Sequence, residues 1–150
     1  MHVPDRDEAI RRMAASLRPG GCLLIEDFDV ALQPLACPAA AGPDQELANG
    51  IRAGFVALLG QRGVDLEYGR KLPGILRALG LEDVAGDAYF PLALPAAAAL
   101  ETANVMQVRD GLVAQGHATG EEIERHLAAL AEGRLDVAVP PLVSVRGRRP

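Results

Sequence analysis

Ile10, Met13, Ala14 and Leu17 recur at i, i+3, i+4 and i+7, which predicts an amphipathic helix near the start of the chain. Asp5 is a good N-cap, and Glu8 three residues later completes a capping box with Asp in place of Ser. Arg18 suits the negative end of the helix dipole, and Pro19, Gly20 and Gly21 stop the helix and turn the chain. The pattern then changes. "CLLIE", Cys22 to Glu26, is apolar without alternation, which predicts a strand covered on both faces. Helix, short turn and buried strand together predict an α/β architecture.

The next segment, "ALQPLACPAAAGP", is a loop by composition. Asp44 is placed to cap a helix bearing Leu47, Ile51, Phe55, Leu58 and Leu59, stopped by Gly60 and Gly63. "RKLPGILRALG" predicts a further helix, with Pro73 in its first turn and Gly80 just past its end. A strand is expected over 84–92. A helical pair follows over 95–132. Its first helix packs Leu100, Val105, Val108 and Leu112, and its second opens on a Thr119–Glu122 capping box with an Ile123, Leu127, Leu130 stripe. A terminal strand is expected over 141–148. The order is α, β, α, α, β, α, α, β in one partial domain, with the helix–strand unit over 5–29 and two helices within 44–80.

Composition narrows the function classes. The chain has 150 residues, 49% of them hydrophobic, which suffices for a core. The net charge of -5 argues against a nucleic-acid partner, because binding phosphates needs a basic face. The basic cluster in "SVRGRRP" reads as a solvated terminus. No apolar run reaches the ~18–20 residues of a membrane span. "MHVPDRDEAIRR" lacks the apolar region of a signal peptide, so a cytoplasmic location with reduced thiols is expected. Of the two cysteines, Cys22 is expected to pack as a small hydrophobe and Cys37 to lie in a loop; neither has zinc-ligand spacing, and no metal is expected.

The ordered motifs resemble those of class I S-adenosylmethionine-dependent methyltransferases. The stretch "HVPDRDEAIRRMAASLRPGGCLLIEDFD" is similar to the approach to that family's fifth strand. The matching elements are His2, Pro4 and Asp5, then Leu17 to Gly21, then Leu23 to Ile25 followed by Glu26 and Asp27. "YGRKLPGILRALGLEDV" resembles the helix before the sixth strand, and "PPLVSVRGRRP" the closing antiparallel strand. The resemblance implies the C-terminal half of a Rossmann-like methyltransferase fold: a three-stranded sheet, its last strand antiparallel, with helices and an inserted helical pair. It implies S-adenosylmethionine as cofactor; a small molecule is the expected substrate because no basic nucleic-acid surface appears. The family's Gly-rich cofactor loop and the acid ending its second strand have no counterpart here, since no G-x-G-x-G follows a strand. The chain alone is therefore expected to be inactive. "CLLIE" is expected to leave a strand edge unpaired where the family's fourth strand lies. That edge invites self-association, or pairing with a separately made N-terminal half. The alternative function is a non-catalytic interaction or oligomerisation module derived from a methyltransferase.

Candidate site residues follow from these placements. Glu26, Asp27 and Asp29 end the first strand, and ligands in open α/β sheets bind beyond the carboxyl ends of strands. Each is read as a substrate-side acid or as a cap or solvated charge, and Phe28 as a pocket wall or core residue. Tyr68 and Arg70 are read as part of a loop before the next helix, over the substrate or in a helix-capping or surface role. The resemblance puts His2 beside the cofactor. Glu122 and His126 are i, i+4 on a helix, which suits two metal ligands but without a third reads as a solvated face. His117 is a loop residue. No catalytic nucleophile is assigned.

Overall fold

A computed structural model describes residues 5–39 and 42–150; His2 lies outside the described residues. The elements are α1 (Arg6–Ser16), β1 (Cys22–Phe28), α2 (Pro43–Gln61), α3 (Tyr68–Ala78), β2 (Glu82–Tyr89), α4 (Pro95–Ala114), α5 (Gly120–Ala131) and β3 (Leu142–Arg148), in the expected order. The chain divides into two compact units. The first holds residues 1–29, 67–89 and 141–150, and the second holds 30–66 and 90–140.

The first unit is built on a three-stranded sheet of order β1-β3-β2. β3 is antiparallel to both neighbours, pairing Phe28 with Leu142 and Tyr89 with Leu142. β1 and β2 therefore run in the same direction, and their carboxyl ends share one end of the sheet. This is the α/β class expected, with the last strand antiparallel. β1 stands at the sheet edge.

One face of this sheet carries the core. Ile10 and Ala14 of α1 and Tyr68, Leu72 and Leu76 of α3 pack with Leu23, Val143 and Val145 of the strands. Each fully buried Leu contributes about 1.5–3 kcal/mol by leaving water. β1 is not covered on both faces as its unbroken apolar run suggested. Its burial alternates, and Leu24 remains 60% exposed, because no element of this unit lies over the second face. The same alternation turns Cys22 outward, whereas the loop residue Cys37 is buried in the second unit. Cys22 thus does not pack as a small hydrophobe, while Cys37 lies in a loop as expected.

Several helix boundaries differ for local reasons. Asp5 precedes α1 but has a left-handed backbone (φ 57°) and makes no side-chain cap. Glu8 instead turns to Arg11 and Arg12, which hold its carboxyl down to about 2. Gly42, not Asp44, stands at the N-cap of α2; Asp44 lies inside the first turn and pairs with Arg134. α3 begins at Tyr68, so Tyr68 and Arg70 belong to a helix and not to a loop, and Pro73 falls past the first turn. β2 starts and stops earlier than expected, at Glu82 and Tyr89.

The second unit packs α2, α4 and α5 around Ile51, Leu58, Val105, Val108, Leu112 and Ile123. Leu100, expected on the packed side of α4, is 43% exposed. The Thr119–Glu122 capping box forms as expected: the Thr119 N–H donates to Glu122 Oε2 at 2.7 Å, and the Glu122 N–H donates to Thr119 Oγ1 at 3.1 Å. Such a cap contributes about 1 kcal/mol. Gly54 of α2 permits close packing, because a Cβ there would lie 2.6 Å from the His117 Cβ and 2.9 Å from Leu112 Cδ2.

Candidate functional site at the carboxyl end of the first strand

Glu26, Asp27 and Phe28 close β1 and alternate between its faces, and Asp29 follows the strand. Glu26 and Phe28 point to the uncovered sheet face, where Phe28 is 43% exposed. Glu26 Oε1 accepts the Ser144 hydroxyl at 2.5 Å from the neighbouring strand. Asp27 points to the helix-covered face and its Oδ1 accepts the Phe28 N–H at 2.8 Å. It lines a shallow apolar groove with Ile10 and Met13 of α1, Ile25 of β1 and Tyr68.

Asp29 is fully buried and makes a two-pronged ion pair with Arg70. Arg70 Nε donates to Oδ2 and Nη2 to Oδ1, each at 2.7 Å, and the Arg70 backbone N–H donates to Oδ2 at 3.0 Å. A carboxylate at a helix N-terminus satisfies an otherwise orphaned N–H and opposes the positive end of the dipole. The hydrogen bond to Asp29 raises the Arg70 guanidinium above its ordinary range. Gly69 makes this approach possible: a Cβ there would lie 3.0 Å from the Asp27 carbonyl and 3.1 Å from the Asp29 Cβ. Asp29 and Arg70 therefore anchor α3 to the end of β1.

Tyr68 belongs to a second anchor. Its hydroxyl donates to Asp7 Oδ1 at 2.6 Å, and the Arg6 guanidinium sits 3.8 Å from its ring centroid. Burial, then the bond to Asp7, pushes the phenol above its ordinary range, so it stays protonated and donates. Of the residues singled out in the sequence, the structure joins Asp29 to Arg70 and ties Tyr68 to Asp7. Glu26 and Phe28 are the ones that face outward.

The described residues do not fit an S-adenosylmethionine cradle. The Gly20 N–H donates to the Arg149 carbonyl, and Gly21 exchanges bonds with Arg18 and Arg149, so this pair is a turn braced by the chain terminus. Gly50 and Gly54 lie within α2. No described strand is followed by a Gly-rich loop. Among the described residues no cluster of three His, Cys, Asp or Glu could hold a metal ion. No helix of the described residues is long and apolar enough to cross a membrane.

No protein-family model matches the chain. A curated relative, methyltransferase GfsG of Streptomyces halstedii, is 34% identical over 82 residues, or 55% of this chain. Together with the ordered motifs, now seen as a helix, a turn and an acid-tipped strand, this decides the likeness. The chain resembles class I S-adenosylmethionine-dependent methyltransferases. The aligned stretch spans only 25% of the relative's length. Two solved structures of Haemonchus contortus phosphoethanolamine N-methyltransferase 2 align over 99% of this chain and 31% of theirs. The first, in complex with phosphomonomethylethanolamine and S-adenosylhomocysteine, is 15% identical with TM-score 0.47. The second, in complex with S-adenosyl-L-methionine, is 14% identical with TM-score 0.45.

Sequence reasoning missed one cluster of buried charge. Arg52 of α2 and Glu101 of α4 are 4% and 2% exposed and form an ion pair in the second unit. His126 of α5 is buried beside them, its Nε2 3.8 Å from Glu101 Oε1. The Glu122–His126 pair is thus no solvated face: Glu122 turns to its cap and His126 turns inward.

Proposed function

We propose that the chain is the closing part of an S-adenosylmethionine-dependent methyltransferase acting on a small molecule, with the cofactor held mainly by residues the chain does not carry. The observation that carries this reading is the α1–turn–β1 unit, whose acids end a strand beside an antiparallel β3. Glu26 and Phe28 are the residues available to an acceptor. The Glu26 carboxylate, held by Ser144, orients an acceptor hydroxyl or amine through a hydrogen bond, and the Phe28 ring supplies an apolar wall. Asp29 and Arg70 act indirectly by fixing α3. Methyl transfer needs no covalent nucleophile, so positioning accounts for much of the rate. The chain by itself is inactive in this reading, and its place is in the cytoplasm.

The position of β1 favours a second reading. A strand at the sheet edge with Leu24 and Phe28 exposed is suited to pair with a separately made N-terminal half or with a second copy. In that case the chain is an interaction module derived from a methyltransferase.

A graft separates the two. The homologous segment of the Streptomyces halstedii relative is replaced by this chain, and the hybrid is titrated with S-adenosylhomocysteine and assayed for methyl transfer. The first reading expects cofactor binding, with Glu26→Ala lowering transfer by tenfold or more (about 1.4 kcal/mol) at unchanged cofactor affinity. A folded hybrid that binds no cofactor, together with a dimer mass for the chain in light scattering, would select the second.

A further inference from the structure

The second unit contains a polar network that is only partly satisfied. Arg52 Nε lies 3.4 and 3.2 Å from the two oxygens of Glu101, Nη2 bonds Oε2, and Nη2 also donates to the Ala138 carbonyl at 3.2 Å. Arg52 Nη1 and both ring nitrogens of His126 are buried without a hydrogen-bond partner. The charged groups bearing on His126 are Glu101 from α4 and Arg52 from α2. Cys37 lies in the same field; burial, Glu101 and Asp136 push its thiol up, so it stays neutral. With Arg52 and Glu101 opposed and His126 neutral, the cluster carries no net charge.

A proton on His126 breaks that balance. It adds a second buried cation beside Arg52, and the 3.8 Å gap to Glu101 is too long for a compensating hydrogen bond. Burial, aided by Arg52, depresses the His126 pKa from its ordinary value of 6.5, while Glu101 opposes the shift. Folding then favours the neutral ring. Its contribution is complete above about pH 6.5 and is lost as pH falls from there through the lower value of the folded state.

We propose that the Arg52–Glu101–His126 cluster makes the second unit acid-sensitive, so that protonation of His126 releases α5 from α2 and α4.

The test is amide hydrogen exchange on the full chain at pH 7.5 and 5.5, corrected for intrinsic exchange. Protection of α5 is expected to fall over this interval, by up to about tenfold, the limit set by an opened state that titrates at the ordinary histidine value. Protection of α1 and α3 is expected to hold. His126→Gln is expected to abolish the change and His117→Gln, at an exposed loop histidine, to keep it. Unchanged α5 protection in the wild type, or an equal loss throughout the chain, overturns the proposal. An NMR titration of the wild-type His126 ring keeps the test open should the Gln variant fail to fold. A midpoint below 6.5 is expected, and one at or above 6.5 overturns the proposal.

Discussion

Arg52→Met destabilises the second unit by about 3–5 kcal/mol, because it leaves the Glu101 charge buried without its guanidinium. Arg52 and Glu101 are both nearly inaccessible, so water cannot replace the lost partner without opening the α2–α4 packing. Removing both charges behaves differently. In Arg52→Met/Glu101→Leu the desolvation cost goes with the pair, and stability returns to within about 1–2 kcal/mol of the wild type. Urea denaturation combined with hydrogen exchange in α2 and α4 measures both variants. Equal losses in the single and double variants would show that Arg52 acts through packing and not through Glu101.

Arg70→Met costs more than Asp29→Asn, although both break the same ion pair. The asymmetry follows from exposure: the Arg70 side chain is 39% accessible, whereas that of Asp29 is fully buried. Arg70 freed by Asp29→Asn turns to water, and the loss is that of charge-assisted hydrogen bonds, about 1.5–3 kcal/mol. Arg70→Met leaves the Asp29 carboxylate in the sheet core with the backbone N–H at the head of α3 but without the guanidinium. That costs more than the loss in Asp29→Asn and lowers protection at the start of α3 first. Denaturation midpoints of the two variants decide the order, and an equal or reversed order contradicts the anchoring role given to Asp29.

The order of all eight elements was legible because the helices carry apolar stripes and β1 and β3 short apolar or β-branched runs between turn residues; β2, "EDVAGDAY", carries no such run, and its bounds were misplaced. Burial on the sheet was less legible. "CLLIE" reads as buried on both faces, yet Leu24 faces outward, since an unbroken apolar run cannot report whether a second layer is present. The Asp5 cap failed for a local reason: Glu8 finds two arginines one turn ahead, and their bonds outcompete the reach back to the N-cap. Asp29 and Arg70 were both singled out, each as a substrate contact or as a capping or surface group, but not as partners of each other. Only the close approach at Gly69, a long-range contact, shows that they hold each other.

The buried cluster did leave a signal. Arg52 falls four residues after Ala48 on the stripe of Ala48, Ile51, Leu58; Glu101 falls midway between Ala97 and Val105; His126 falls three after Ile123. Each polar residue sits in phase with the apolar positions of its helix. A charged residue in the stripe of one helix, an opposite charge in another and a histidine in a third together predict a buried polar contact among packed helices. The i, i+4 spacing of Glu122 and His126 drew attention to the wrong partner, because the capping box had already engaged Glu122.

In the proposed function these residues close a methyltransferase fold without supplying its cofactor cradle. Calorimetric titration of the chain with S-adenosylhomocysteine tests it most directly. No binding tighter than about 1 mM is expected, because no described strand leads into a Gly-rich loop and Gly20 and Gly21 are occupied with Arg18 and Arg149. Stoichiometric binding well below that concentration would contradict the account and require a cofactor site built from this chain alone.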